Sequence, residues 1–147
     1  MLMDWSDPDT RPVNEYGSKA RVGESKSSYS DWRRTVGNGA YANDVDWVEW
    51  RLGSDGEVEP VALIETTFYE DKPELRPFLP AYRSAVLARF KRDAQYSVVR
   101  TVAAKLDVPC YLTVVRKDLA VFFVCRLWDE KWRQMDEPAY RAWILGL

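Results

Sequence analysis

A long stretch without glycine or proline, Ala81–Leu106, separates two pairs of strand-like apolar runs and constrains the fold more than any other feature of the sequence. Val98 and Val102 in its second half have helical spacing, which predicts a helix with one face against a sheet. Asp107 and Pro109 are expected to end this helix. A helix between two pairs of strands is typical of a mixed α/β protein.

Two strands are expected on each side of this helix. The predicted strands are Asp44–Leu52, Val61–Phe68, Cys110–Arg116 and Leu119–Leu127. A Gly-Ser-Asp-Gly turn at 53–56 separates the first pair, and we expect a tight hairpin at Lys117 and Asp118 to join the second. Asp136 is expected to cap a short C-terminal helix with Pro138 in its first turn. The predicted architecture is a mixed central sheet of about four strands flanked by helices.

The 147-residue length fits one domain preceded by an arm. Residues 1–29 have few apolar anchors, which predicts a mobile N-terminal arm, and we expect residues 30–147 to form a single α/β domain with a short helix near Ser30–Arg34. Cys110 and Cys125 lie within apolar runs and are expected to be buried small hydrophobes, with a cross-strand pair as the alternative. The sequence has no apolar run of membrane-spanning length, which predicts a cytoplasmic protein without a membrane partner.

The sequence contains no histidine. This excludes Ser-His-Asp and Cys-His nucleophiles, zinc sites that contain histidine, and acid–base catalysis by an imidazole. The 21 Lys and Arg residues nearly balance the 23 Asp and Glu residues, so the net charge of −2 provides no global attraction to DNA or membranes. Chemistry in this chain must therefore use carboxylates, lysine, arginine, hydroxyls, amides or the backbone.

Two acidic residues lie in strands that are otherwise apolar. Asp46 is within the first predicted strand, and Glu65 directly follows the apolar run Val61–Ile64. A buried carboxylate costs several kcal/mol unless it is paired or binds a cation. Two carboxylates on adjacent strands predict an oxygen site for Mg²⁺, which can activate water against a phosphodiester. Asp44 and Glu49 compete with Asp46 for the first position, and solvated acids at strand ends are the alternative.

Gln95 lies on the helix face that turns toward the sheet, one turn before Val98 and Val99. It is expected either to join a local hydrogen-bond network or to point into a site at the sheet edge. The same segment is rich in basic residues, which either track a phosphate backbone or form a solvated helix face. These residues are Arg83, Arg89, Lys91, Arg92, Arg100 and Lys105.

The order of these features resembles the PD-(D/E)XK nuclease superfamily over about residues 30–127. The shared order is a strand with Asp, a turn, a strand ending in Ile-Glu, a helix with Gln, and a strand that begins Val-Pro-x-Tyr. The likeness is greatest to small phage-encoded and Holliday-junction-resolvase-like members, and it implies a restriction-endonuclease-like fold. By this resemblance Asp46 and Glu65 bind Mg²⁺ or Mn²⁺, and the Thr66 carbonyl is a further ligand. Gln95 is the third catalytic residue that the resemblance implies.

The resemblance implies a metal-dependent DNA phosphodiester hydrolase that acts in the cytoplasm of a host cell if it is phage-encoded. DNA is the implied partner, and a homodimer is a further expectation because resolvase-like members are often dimers. Thr67 occupies the place of the family's lysine, and its hydroxyl cannot supply positive charge. Lys72 is one candidate replacement, and Lys91 and Arg92, which would also bind substrate, are the other. The alternative is an inactive module of the same fold that binds DNA or a protein.

Overall fold

The computed structural model describes residues 44–74 and 79–147, together with five residues between positions 29 and 36. Contacts between Cα atoms divide the chain into two units, Met1–Ala42 and Asn43–Leu147. The elements below belong to the second unit. Of the mobile arm predicted over residues 1–29, residues 1–28 lie outside the described residues. Of the helix predicted near Ser30–Arg34, the structure describes Trp32 and Arg33, and both are helical.

The described part of the second unit contains five strands and three helices. In chain order they are β1 (Trp47–Leu52), β2 (Val58–Tyr69), α1 (Leu79–Arg92), α2 (Ala94–Leu106), β3 (Cys110–Arg116), β4 (Phe122–Arg126), β5 (Lys131–Met135) and α3 (Glu137–Leu145). The predicted α/β class with a mixed, helix-flanked sheet is therefore confirmed. The expected strand count of about four is wrong, because β5 adds a fifth strand.

The strands lie side by side in chain order, β1-β2-β3-β4-β5. Only the β2–β3 pair is parallel among these five strands, and α1 and α2 form the crossover that a parallel pair requires. A β-bulge shifts the β1–β2 register between Glu49 and Trp50, so that Trp50 faces Pro60. Proline lacks the N–H of a regular ladder and is therefore found at bulges and edges.

The main core lies between the sheet and the α1–α2 layer. Alternate strand residues such as Leu63 and Leu112 pack there with Val86 of α1 and Val99 of α2. A smaller core on the opposite face joins β3, β4 and β5 to α3. It contains Val115, Phe122, Val124 and Met135, packed against Tyr111, Tyr140 and Trp143. Glu65 is two residues after Leu63, so it belongs to the face covered by α1 and α2.

The helical segment predicted within Ala81–Leu106 is two helices that are interrupted at Asp93. Asp93 has an extended backbone, with φ −82° and ψ 144°, and its carboxylate accepts a hydrogen bond from the Gln95 N–H at 3.0 Å. Such a cap satisfies a backbone donor at the start of α2. The predicted end of the helix is confirmed, because Asp107 follows α2 in the left-handed conformation.

The β3–β4 connection is longer than the tight turn predicted at Lys117 and Asp118. The Arg116 N–H donates to the Val121 carbonyl at 2.9 Å, so the loop comprises residues 117–120. Asp118 Oδ1 accepts a hydrogen bond from the Ala120 N–H at 3.0 Å and stabilises the wider turn. The second strand of the pair also ends earlier than predicted, at Arg126, because the chain turns there into β5.

The structure also tests the predictions made for Asp136 and for the two cysteines. Asp136 caps α3, accepting a hydrogen bond from the Ala139 N–H at 2.9 Å, as expected. Cys110 and Cys125 are buried and unpaired, so the cross-strand pair is wrong. Burial raises the pKa of the Cys125 thiol to about 12, which keeps it protonated.

Within the described ranges, no helix combines the length and apolar character that a membrane span needs.

Candidate functional site

Asp46 and Glu65 meet where β1 begins beside the middle of β2. Trp47, the first residue of β1, lies opposite Ile64, and the antiparallel register brings Asp46 next to Glu65. The Asp46 N–H donates a hydrogen bond to Glu65 Oε1 at 3.0 Å. The two acids that the sequence singles out are therefore neighbours in the structure.

Thr66 orients the carboxylate of Asp46. Asp46 Oδ2 accepts hydrogen bonds from the Thr66 N–H at 2.9 Å and from Thr66 Oγ1 at 3.2 Å. The indole N–H of Trp47 donates to the same hydroxyl at 3.3 Å. Asp46 is half-buried, whereas Asp44 is exposed. Of the two competing aspartates, Asp46 is thus the one whose carboxylate is bound at the β1–β2 contact.

Gln95 connects Glu65 to the start of α2. Glu65 is 6% exposed, and its Oε1 accepts a second hydrogen bond, from Gln95 Nε2 at 3.1 Å. Gln95 Nε2 also donates to the Asp44 carbonyl oxygen. A buried carboxylate needs such donors, because losing its water is costly. The amide group therefore takes part in a local hydrogen-bond network, the first of the two roles considered from the sequence, and it does so beside Glu65.

A cavity of about 280 Å³ opens beside Glu65, between the sheet and the helical layer. Its described lining consists of Glu65, Thr66 and Thr67 of β2, Leu112 of β3, Val86, Arg89 and Phe90 of α1, and Asp93 and Gln95 at the start of α2. Glu65 and Gln95 thus share one cavity. Among these lining residues, Arg89 is the one with a positive charge.

The cations expected to replace the family's lysine lie elsewhere. Lys91 forms an ion pair with Glu130, and this hydrogen bond raises the pKa of Lys91. Lys72 Nζ lies 3.8 Å from Glu70 Oε2 on the surface. Neither of these lysines, nor Arg92, is part of the described lining of the cavity.

Arg89 was named in the sequence only as one of six basic residues. Its position on the helix, relative to the buried residues, is a more specific signal that it lies near the sheet. Arg89 follows the buried Val86 by three positions, and residues at this spacing share a helix face. Because that face packs against the sheet, the spacing is consistent with the place of Arg89 in the cavity wall, where Lys91 and Arg92 are not found.

The acid pair offers carboxylate oxygens, the kind of ligand that Mg²⁺ and Mn²⁺ prefer. Mg²⁺ is usually bound by one or two carboxylates together with water and substrate oxygens. Within residues 44–74 and 79–147, no group of three or more Asp, Glu, Cys or His residues is arranged to bind a metal. Asp44 and Glu49 therefore do not add a third carboxylate to Asp46 and Glu65, and a bound ion would need water or substrate to complete its coordination.

None of the protein-family models, curated proteins and solved structures compared with this chain matches it. The PD-(D/E)XK resemblance therefore stays a prediction. Functional inference depends on the residues of the cavity and on their chemistry.

Proposed function

We propose that this protein is a metal-dependent DNA phosphodiester hydrolase with a restriction-endonuclease-like fold. The observation that supports this proposal is that Glu65 and Gln95 line one cavity and that both Asp46 and Gln95 are hydrogen-bonded to Glu65. The order of sequence features that resembles PD-(D/E)XK nucleases supports it independently, because that resemblance assigns roles to the same three residues.

In this proposal Asp46 and Glu65 bind Mg²⁺ or Mn²⁺, with the Thr66 carbonyl as a further ligand. When bound, such an ion polarises a phosphodiester and lowers the pKa of its water. The other contributions come from the protein's own side chains and backbone. Thr66 orients Asp46 through its N–H and hydroxyl, and Gln95 fixes Glu65 through its amide. These contacts pre-position both carboxylates, which avoids reorganisation during the reaction.

A cleavage assay with branched, single-stranded and duplex DNA in Mn²⁺ tests this function. We expect metal-dependent cleavage by the wild type and a loss on the order of 100-fold in Asp46→Asn, because weakening a metal site typically has an effect of this size. Asp55→Asn is the matched control, since Asp55 lies in the exposed turn of the same β1–β2 hairpin. Equal rates in the two variants, or no cleavage by the wild type, would contradict the proposal.

A second candidate is an inactive module of the same fold that binds DNA or a protein partner. Thr67 favours this candidate, because the resemblance places the catalytic lysine at this position and no lysine is in the described lining of the cavity. DNA binding without metal-dependent cleavage, in the same set of substrates, would support the module over the hydrolase.

A further inference from the structure

We infer that Arg89 binds the phosphate group of the nucleic-acid substrate in the cavity beside Glu65. This inference rests on the proposed function, because it takes a DNA phosphodiester to be the ligand. It names a substrate-binding residue that the sequence resemblance does not assign. In this inference Arg89, rather than Lys72, Lys91 or Arg92, supplies the positive charge that the Thr67 hydroxyl cannot.

The charge balance of the cavity calls for a cation. Glu65 and Asp93 line it, and the backbone N–H of Asp46, a further acid, is hydrogen-bonded to Glu65. A phosphodiester that entered would be repelled by these carboxylates. A bound metal ion offsets part of that repulsion, and a guanidinium on the opposite wall offsets more. Arg89 is in the right place, because it lines the same cavity as Thr67 but comes from α1 rather than β2.

Arg89 is also available to a ligand. Several surface cations of the described chain are already paired: Lys91 with Glu130, Lys117 with Glu70, Arg116 with Asp118, and Arg126 with Asp129. Arg89 is exposed, and within the described ranges its side chain has neither a hydrogen bond nor an ion pair. Its five N–H donors match phosphate geometry in a bidentate arrangement. A ligand phosphate would therefore not have to displace a protein carboxylate.

Binding of a fluorescein-labelled DNA duplex, measured by anisotropy in Ca²⁺ at several salt concentrations, tests the inference without requiring cleavage. We expect Arg89→Gln to weaken binding about tenfold and to reduce the slope of log K against log salt by about 0.9, the loss of one phosphate contact. Arg89→Lys keeps the charge and is expected to keep the slope. Arg133→Gln is the matched control, because Arg133 is an exposed arginine on β5, three strands away from β2.

Three results would contradict the role proposed for Arg89. If Arg89→Gln binds like the wild type, if Arg133→Gln loses as much affinity, or if the wild type does not bind DNA, the inference is wrong. Arg89 is exposed, so the variants are expected to fold, and matching circular dichroism spectra and melting temperatures check this. Arg89-dependent binding without cleavage in Mn²⁺ would reject the hydrolase and leave the role of Arg89 intact. Cleavage and binding that are both unchanged in Arg89→Gln would reject only the role of Arg89.

Discussion

Glu65 illustrates how a charged side chain is accommodated in an apolar strand. It directly follows Ile64, which is 1% exposed, and is itself 6% exposed. Donors from both sides compensate for its burial, the Asp46 N–H from β1 and the Gln95 amide from α2. Removal of one partner from a buried hydrogen bond leaves the other with the cost of its lost hydration, about 1–3 kcal/mol. The acid is therefore tolerated because of its neighbours.

Gln95→Leu is expected to lower the free energy of unfolding by about 1–3 kcal/mol, because the buried Glu65 carboxylate would lose one of its hydrogen-bond donors. Urea denaturation of the wild type and the variant measures this change. The same substitution in a Glu65→Met background is the control. With the buried carboxylate gone, the added cost of losing the amide should be much smaller. Equal costs in the two backgrounds would show that Gln95 acts through some other contact.

Much of the acid site could be predicted from single residues, because its members break a pattern. Asp46 and Glu65 are acids in apolar strands, and Gln95 is polar on a sheet-facing helix stripe. Arg89 breaks no pattern, since it is one cation among several on an amphipathic helix. Its role depends on the phase of α1, that is, on which face of this helix packs against the sheet. The break at Asp93 changes the path of the chain between the two helices, and composition does not specify that phase.

At the level of elements, the sequence predicted interior segments better than edges. β2 and β3 are buried and strongly apolar, so their patterns are unambiguous. β5 was missed because it is an edge strand whose exposed positions are polar, Lys131, Arg133 and Gln134, leaving only Trp132 and Met135 as apolar anchors. The break between α1 and α2 was missed because neither glycine nor proline marks it. The local signal for this break is the preference of aspartate, here Asp93, for the capping position at the start of a helix.

The end of α2 supports a stability prediction. Asp107 has φ 56°, a left-handed conformation that glycine adopts without a steric cost. Asp107→Gly is expected to raise the free energy of unfolding by about 0.5–1 kcal/mol, measured by urea denaturation.

Lys105→Gly is the matched control for that prediction. It introduces the same residue two positions earlier, in the last turn of α2, where glycine is unfavourable by about 1 kcal/mol. The two substitutions should therefore have opposite signs. A loss of stability in Asp107→Gly would mean that the aspartate side chain stabilises the helix end by more than its backbone strain costs.

For the molecule as a whole, the sheet is enclosed by two unequal layers. The α1–α2 layer covers the larger core, and α3 covers the other face through its aromatic residues. Tyr140 stacks on Phe122 with ring centroids 4.1 Å apart. Burial raises the pKa of Tyr140, and it raises those of Tyr69 and Tyr111 as well. Both layers therefore contain phenols whose pKa lies above that of a tyrosine in the unfolded chain.

This arrangement predicts a loss of stability in alkali. Above about pH 10 the tyrosines of the unfolded chain lose their protons, whereas the buried ones keep theirs. The unfolded state then binds fewer protons, so the free energy of unfolding falls as the pH rises from the unfolded pKa toward the folded one. Urea midpoints measured from pH 8 to pH 12 would follow this fall.

Tyr140→Phe is expected to make that decline shallower, because it removes one of the three tyrosines whose pKa is raised. Tyr29→Phe serves as the control, since Tyr29 is 60% exposed. A decline that is equally steep in both variants would mean that the alkaline loss of stability does not originate at Tyr140.

The whole-molecule prediction from sequence was correct in class and incomplete in detail. The two strand pairs around a helical segment determine an α/β layer structure, and the parallel β2–β3 pair follows from the crossover between them. The sequence did not reveal which helix face meets which strand, because that depends on packing between distant segments. The cavity lies at such a contact, where β2, α1 and the start of α2 meet.

Thr66 has a consequence for how this protein can be observed. Its hydroxyl accepts a hydrogen bond from the indole of Trp47 and donates one to Asp46. Trp47 also lines an apolar groove on the opposite face of the sheet, where Thr66 is again part of the wall. One hydroxyl therefore couples a natural fluorophore to the acid pair. Trp47 is one of seven tryptophans, so a change at Asp46 is expected to alter one component of the intrinsic tryptophan emission without any attached dye.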